Sequence, residues 1–253
     1  MTRDSDRRVR QVTVAIGVAV AIIAAAATPA VAQEISVNFP QGGGLTERVI
    51  QMIALLTVLS LAPSILIMMT SFTRIVVVLS LLRTALGTAT APPNAVIVSL
   101  ALFLTAFVMG PALQKAYDDG VRPLIANQIT AEQAFERGTV PLRAFMEKNV
   151  RPKDLKLFID MAKQTAPAKP EDLSLRVLVP AFMISELKRA FEIGFLLFLP
   201  FLIIDLVVAS VLMSMGMMML PPVVVSLPFK LIFFVLVDGW TLVAGSLIQS
   251  YGT

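Results

Sequence analysis

Histidine and cysteine are both missing from the 253 residues. Their absence removes thiol chemistry, zinc sites built on Cys or His, and every catalytic dyad or triad that needs an imidazole. It also removes disulfides, so cysteine usage assigns no redox compartment. Charge is scarce too: Asp, Glu, Lys and Arg make up 15% of the chain, against about 25% in an ordinary soluble domain. Hydrophobic residues reach 57% and the mean hydropathy is +0.81. A water-soluble globule of this length could not enclose so much apolar side chain, so the composition indicates an integral membrane protein. The formal charge of +4 and pI near 9.6 resemble nucleic-acid-binding values, but the location of the charges argues against that use.

Arg3, Arg7, Arg8 and Arg10 give a basic start, an Ala-rich apolar run follows to Ala27, and Ala30-Val31-Ala32 precedes Gln33. This pattern reads as a cleavable secretory signal peptide over residues 1–32, with cleavage between Ala32 and Gln33. The alternative, an uncleaved first helix, is disfavoured because the run is shorter than the roughly 20 residues a span requires. Residues 1–32 hold four Arg and two Asp, so 17 basic and 15 acidic residues remain in a nearly neutral mature chain. Residues 33–47, with Gly42-Gly43-Gly44, form a flexible lead expected on the exported side.

Four apolar stretches follow: Val49–Met69, Ala95–Leu113, Ile193–Met213 and Val223–Ile248. Each is long enough for a membrane helix. They define a first hydrophobic hairpin region at 48–113 and a second hairpin at 193–253. Residues 114–192 between them carry 13 basic and 11 acidic residues, helical apolar spacing at Leu155, Phe158, Ile159 and Ala162, and six prolines. This block reads as a small helical extramembrane domain on the exported side. The fold class expected is an all-α membrane protein. If every stretch simply spans, Arg74 and Arg83 fall in a cytoplasmic loop, as the positive-inside rule asks, and the link 214–222 points inward. Two arginines within an apolar run also signal helices packed on protein rather than lipid.

At a shift of 129 residues, Phe72, Ile75, Val78, Gly87, Pro92 and Pro93 align with Phe201, Ile204, Val207, Gly216, Pro221 and Pro222. The echo suits two hairpins of one design, although apolar sequences and Pro-Pro turns also match by chance. In the second hairpin, Asp205 and Lys230 interrupt apolar helices, at a cost of roughly 2.5–3.5 kcal/mol each if unpartnered at mid-span. If the hairpin folds near residue 217, both lie about 19 Å from its tip and meet as an ion pair; if it turns at Pro221-Pro222 instead, their depths differ by several residues and the pair weakens. That pair serves either to fix the hairpin or to relay protons, with Asp238 as a further member. The tip itself, MSMGMMML at 213–220, gathers five of the thirteen methionines. Flexible, polarisable methionines around Gly216 suit a soft apolar closure. Repeated around a ring, Met215, Met217, Met218 and Met219 would exclude water and ions yet yield to a passing chain.

Other chemistry lacks its residues. The glycine run has no phosphate-loop Lys-Ser/Thr, the central block is mixed in sign and offers no nucleic-acid patch, and neither enzyme nor cofactor signatures occur. Two classes of function stand: a pore-forming subunit, or a small proton-coupled carrier using Asp205 and Lys230.

The segments MMTSFTRI (68–75), LLRTALGTATAPPN (81–94), PLRAFM (141–146), SELKRAFEIGF (185–195), PFLIIDLVVASVLMSMGMMMLPP (200–222) and LPFKLIFFVLVDGW (227–240) closely resemble the FliP/SctR family of type III export-gate proteins. The leader favours the flagellar branch over the injectisome branch. The resemblance implies a non-enzymatic inner-membrane protein of the flagellar basal body, without cofactor. It implies a helical pore assembled from several copies with FliQ and FliR, working with FlhA and FlhB to pass unfolded flagellar subunits. It also implies a methionine-rich constriction at Met215, Met217, Met218 and Met219, an acid–lysine pair at Asp205 and Lys230, and an assembly standing largely above the expected membrane plane.

Overall fold

The computed structural model describes residues 49–252 except 51, 54–55, 58–59, 61–63, 65–66, 89, 163–172 and 218. The signal peptide, its Ala32–Gln33 cleavage site and the lead at 33–47 lie outside the described residues, as does Met218. In the unit formed by residues 1–54, the described residues 49–50 and 52–53 are helical. In the unit from residue 55 onward, the described residues between 56 and 68 are helical, and eight helices follow. These are α1 (Phe72–Leu86), α2 (Asn94–Ala116), α3 (Arg122–Ile125), α4 (Ala131–Asn149), α5 (Pro152–Met161), α6 (Leu175–Ser214), α7 (Pro222–Leu236) and α8 (Gly239–Gln249).

A π-helical turn, Tyr117–Val121, joins α2 to α3, so the helix runs on for 32 residues from Asn94 to Ile125. Pro123 lacks an N–H and its ring would press on the carbonyl four residues back. Widening the turn, with Arg122 N–H bonded to the Tyr117 carbonyl, lets the helix pass the proline. Helix α6, 40 residues long, extends about 60 Å, twice the roughly 30 Å of a bilayer core. Its charges at Arg176, Glu186, Lys188, Arg189 and Glu192 crowd the first half, and only Asp205 interrupts the second. The apolar half at 193–213 is thus the membrane part and the charged half belongs to the extramembrane region.

Among the described residues, two helices are long and apolar enough to cross a membrane, Asn94–Ile125 and Leu175–Ser214. They flank the charged helical region, as the composition implied. The fourth apolar stretch departs from the expectation of one continuous span. It breaks into α7 and α8 with a 64° bend, because Asp238 adopts a left-handed conformation (φ 50°) between them. Asp and Asn accept that conformation more readily than most residues. Nor does residue 192 end an element: α6 runs straight through the border drawn there from composition.

The extramembrane region is held by ordinary helix chemistry. Thr130 and Gln133 form a reciprocal capping box at the start of α4. Leu142 and Met146 from α4 pack with Met109, Leu178, Ala181 and Phe182 in one apolar cluster. Helix α5 docks on α6 through Asp154, whose carboxylate accepts from Lys188 at 2.9 Å and lies 3.0 Å from Ser185 Oγ. Burial by itself would raise the Asp154 carboxyl. The hydrogen bonds from Lys188 and Ser185, with the charges of Lys188 and Arg151, outweigh burial and hold it below its ordinary value. A carboxyl depressed in the folded state contributes stability above the ordinary carboxylate range, and that contribution is lost as pH falls through the depressed value. In thermal melts of the detergent-solubilised protein, the midpoint should therefore fall between pH 7 and strongly acidic pH more steeply than it does for Asp154→Asn. Parallel curves would show that this carboxylate does not anchor α5.

A second apolar cluster joins α1 to everything around it. Ile75, Val78, Leu79 and Leu82 are buried with Ala190 of α6, Phe234 of α7, and Val243 and Leu247 of α8. At the end of α1, Gly87 takes φ 76°, and at the end of α6, Gly216 takes φ 73°. Both glycines stop a helix in the left-handed region where a Cβ is costly, and both precede a Pro-Pro that starts the returning helix. The 129-residue echo therefore corresponds to a shared helix stop, while the Pro-Pro turns differ, since Ala91–Pro92 is cis and Leu220–Pro221 is not.

Candidate functional site

Helices α6 and α7 form the hairpin that carries the sequence-derived candidates. α6 ends at Ser214 and α7 begins at Pro222, so the connection centres on residue 218. Asp205 stands nine residues before that end and Lys230 eight after that start, which places them at matching depth. Lys230 Nζ donates to Asp205 Oδ2 at 2.6 Å, and Ser226 Oγ donates to Asp205 Oδ1 at 2.6 Å. Lys230 is buried, whereas the Asp205 side chain keeps a quarter of its surface exposed. Asp238 is no third member of this group: it is eight residues further along, about 12 Å on a helix, and exposed at the α7–α8 break.

Lys230 has one more partner that spacing could not reveal. Its ammonium donates to the Ala85 carbonyl at 3.0 Å. Ala85 lies in the last turn of α1, where carbonyls lack helical partners and the helix dipole is negative. A cation there is stabilising. The single ammonium thus ties α1, α6 and α7 together, and so binds the first hairpin to the second.

At the tip, Met213, Met215, Met217 and Met219 are all exposed, Met219 by 98%. A Cβ at Gly216 would meet nothing within 4 Å, so only its left-handed backbone demands glycine. The corresponding turn of the first hairpin is built differently. There Arg83 donates to Asn94 Oδ1 at 2.5 Å and to the Pro92 carbonyl at 3.4 Å. At the 129-residue shift those two clasping residues become Leu212 and Val223. The second turn keeps the backbone stop and drops the polar clasp.

The structure also holds a buried polar cluster that composition alone did not locate. Arg74 is not in a cytoplasmic loop: it lies within α1, fully enclosed, because Glu186 of α6 neutralises it there. Its guanidinium meets both carboxylate oxygens of Glu186, with Nε to Oε2 at 2.9 Å. It also donates to Ser250 Oγ at 2.9 Å and lies 3.8 Å over the Tyr251 ring. Tyr251 OH donates to Glu186 Oε2 at 2.6 Å. Burial, with Glu186 beside it, pushes the Tyr251 phenol well above its ordinary value, so it remains a donor. A bidentate Arg–carboxylate pair suits such a site because its fixed fork satisfies both oxygens. The sequence signal for this cluster was Arg74 within an apolar run, but the distant carboxylate could not be named from spacing.

Long apolar helices and charges neutralised inside the protein define a membrane-embedded helical protein. The FliP family profile matches residues 55–247. The flagellar biosynthetic protein FliP of Caulobacter vibrioides is 60% identical over 245 residues, covering 97% of this chain and 91% of that protein. Those of Agrobacterium fabrum and Bacillus subtilis are 54% and 55% identical, over 83% and 80% of this chain and 86% and 91% of their own. The chain belongs to the FliP family. It is a multi-pass inner-membrane component of the flagellar type III export gate.

Proposed function

We propose that several copies of this chain bring their α6–α7 tips to a shared axis, where Met215, Met217, Met218 and Met219, loosened by Gly216, form a pliable seal. The pore so lined passes unfolded flagellar subunits, in an assembly with FliQ and FliR that works with FlhA and FlhB. The observation carrying this reading is the exposure of Met215, Met217 and Met219 on a turn that lacks the Arg83–Asn94 clasp of its counterpart. Flexible thioethers exclude water without fixing one shape, and an apolar constriction stops ions by dewetting. The flagellar names of the relatives favour this branch over an injectisome gate. The Lys230 bond to the end of α1 favours a fastening role for the ion pair over a proton-coupled carrier.

Replacing Met215, Met217, Met218 and Met219 together by Ala should leave assembly intact and raise ion permeability severalfold. Uptake of a membrane-impermeant ion by cells or vesicles carrying the assembled variant measures this. Wild-type permeability in a fully assembled variant would remove the seal.

A further inference from the structure

Helix α8 lays Trp240, the single tryptophan of the chain, across the first hairpin, and space remains against it in two places. Leu79, Arg83, Val96, Leu100 and Trp240 border a cavity of about 180 Å³. Leu79, Leu100, Leu104, Trp240 and Val243 border another of about 360 Å³. Because Leu79, Leu100 and Trp240 belong to both, the two form one groove over α1 and α2. Its direction follows from α2. Asn94 opens that membrane-crossing helix, which puts Arg83, bonded to Asn94 Oδ1 at 2.5 Å, at the membrane surface. Leu104 lies about 15 Å deeper along the helix, half of a hydrocarbon core about 30 Å thick. The groove thus runs the depth of one leaflet, with its charge at the surface end.

We propose that this groove binds one anionic phospholipid, with its phosphate on Arg83 and an acyl chain along Leu79, Leu100 and Leu104. Arg83 commits only Nη1, to Asn94 and the Pro92 carbonyl. Its Nε and Nη2 have no partner among the described residues, and no carboxylate there pairs with it. Arg74 and Lys230, by contrast, are each neutralised by an acid of this chain. A guanidinium suits a phosphate because its planar fork presents two N–H groups to two oxygens. Trp240, held edge-on to Phe234 with ring centroids 5.3 Å apart, is 45% exposed, and its indole N–H also lacks a partner among the described residues. Tryptophans at this level sit among lipid headgroups, ring in the apolar layer and N–H toward the polar one. The lining therefore describes a ligand charged at one end and apolar for the depth of a leaflet. An extended polypeptide would bring backbone N–H and C=O groups that this lining leaves unsatisfied. A zwitterionic lipid carries its own ammonium to offset the phosphate. Such a site needs only the membrane placement of α2 and is independent of the methionine seal.

Trp240 fluorescence reports on the site without a label. The full-length chain is reconstituted in phosphatidylcholine vesicles containing a rising proportion of phosphatidylglycerol with brominated acyl chains, which quench tryptophan on contact. Brominated phosphatidylcholine is the comparison. One cation beside an anionic lipid is worth about fivefold in affinity. Half-quenching should therefore need about fivefold less brominated phosphatidylglycerol than brominated phosphatidylcholine. Arg83→Gln should remove that difference. Should this variant accumulate poorly, Leu104→Phe fills the groove while leaving the Arg83–Asn94 contact in place, and it should weaken quenching by both lipids. Equal half-quenching by the two lipids in the wild type would overturn the headgroup site, and a preference that persists in Arg83→Gln would overturn the role of Arg83. No quenching by either lipid would assign the groove to protein. Inorganic phosphate in the buffer should leave the quenching unchanged; if it restores fluorescence, the guanidinium holds a soluble anion instead of a lipid. A four-methionine variant with wild-type ion permeability would sink the seal and leave the lipid preference standing.

Discussion

Replacing Glu186 by Ala is expected to cost about 3–5 kcal/mol, the range for leaving a fully enclosed charge without its partner. Arg74 would then keep its bonds to Ser250 but lose both carboxylate oxygens in a fully enclosed site. Tyr251 would lose its shorter acceptor as well and keep only the Ser71 carbonyl at 3.3 Å. Against a whole-domain stability of about 5–15 kcal/mol, that loss should sharply lower both accumulation in the membrane and the thermal midpoint in detergent. Arg74→Lys should fail similarly, since an ammonium cannot reproduce the two-pronged contact. Tyr251→Phe should be milder, costing about 1.5–3 kcal/mol for one lost hydrogen bond to a charged group, because Arg74 Nε still serves the same carboxylate oxygen. The ordering matters more than any single value. A Glu186→Ala protein melting with the wild type would mean that the cluster does not hold α1, α6 and the C-terminal turn together.

That cluster marks the limit of what the sequence disclosed. Periodicity and length located the apolar helices because each must satisfy its backbone internally in lipid. The left-handed glycines were legible because Gly87 and Gly216 stand in matched surroundings before Pro-Pro. Two kinds of information were not local. Arg74 and Glu186 are separated by 112 positions, and mixed charges in an extramembrane block look alike until folding selects one to neutralise a buried guanidinium. The division of 223–248 into two helices depended on one residue, Asp238, whose left-handed backbone is a choice among conformations that composition does not dictate. The candidate site divides in the same way. Helical spacing brought Asp205 and Lys230 to one depth, because a hairpin has only one register to set. The Ala85 carbonyl, belonging to another hairpin's helix end, was invisible to that arithmetic, and so was Ser226, which looked like one more small residue in an apolar run.

The third partner of Lys230 changes what a charge exchange should do. Lys230→Ala leaves Asp205 with Ser226 alone and uncaps α1. Because Asp205 is partly exposed, the cost should fall below the roughly 3–5 kcal/mol of a fully enclosed pair. It should still abolish most export, by loosening the join between hairpins. Asp205→Lys with Lys230→Asp restores opposite charges at 205 and 230, but it points a carboxylate at the Ala85 carbonyl and at the negative end of α1. That reversal is unfavourable by about 0.3–1 kcal/mol at an accessible helix terminus and by up to about 2 kcal/mol in a partly buried one. The exchanged protein should therefore export more flagellar protein than either single reversal and less than the wild type, with motility and secreted subunits as the readouts. Lys230→Arg, which keeps a cation near both acceptors, should retain more than the exchange. A proton relay requires the opposite ranking: the exchange and Lys230→Arg should both be dead in fully assembled particles, because an arginine does not release its proton. Full activity of the exchange would instead show that the end of α1 gains nothing from the ammonium, and the clasp between hairpins would have to be sought elsewhere.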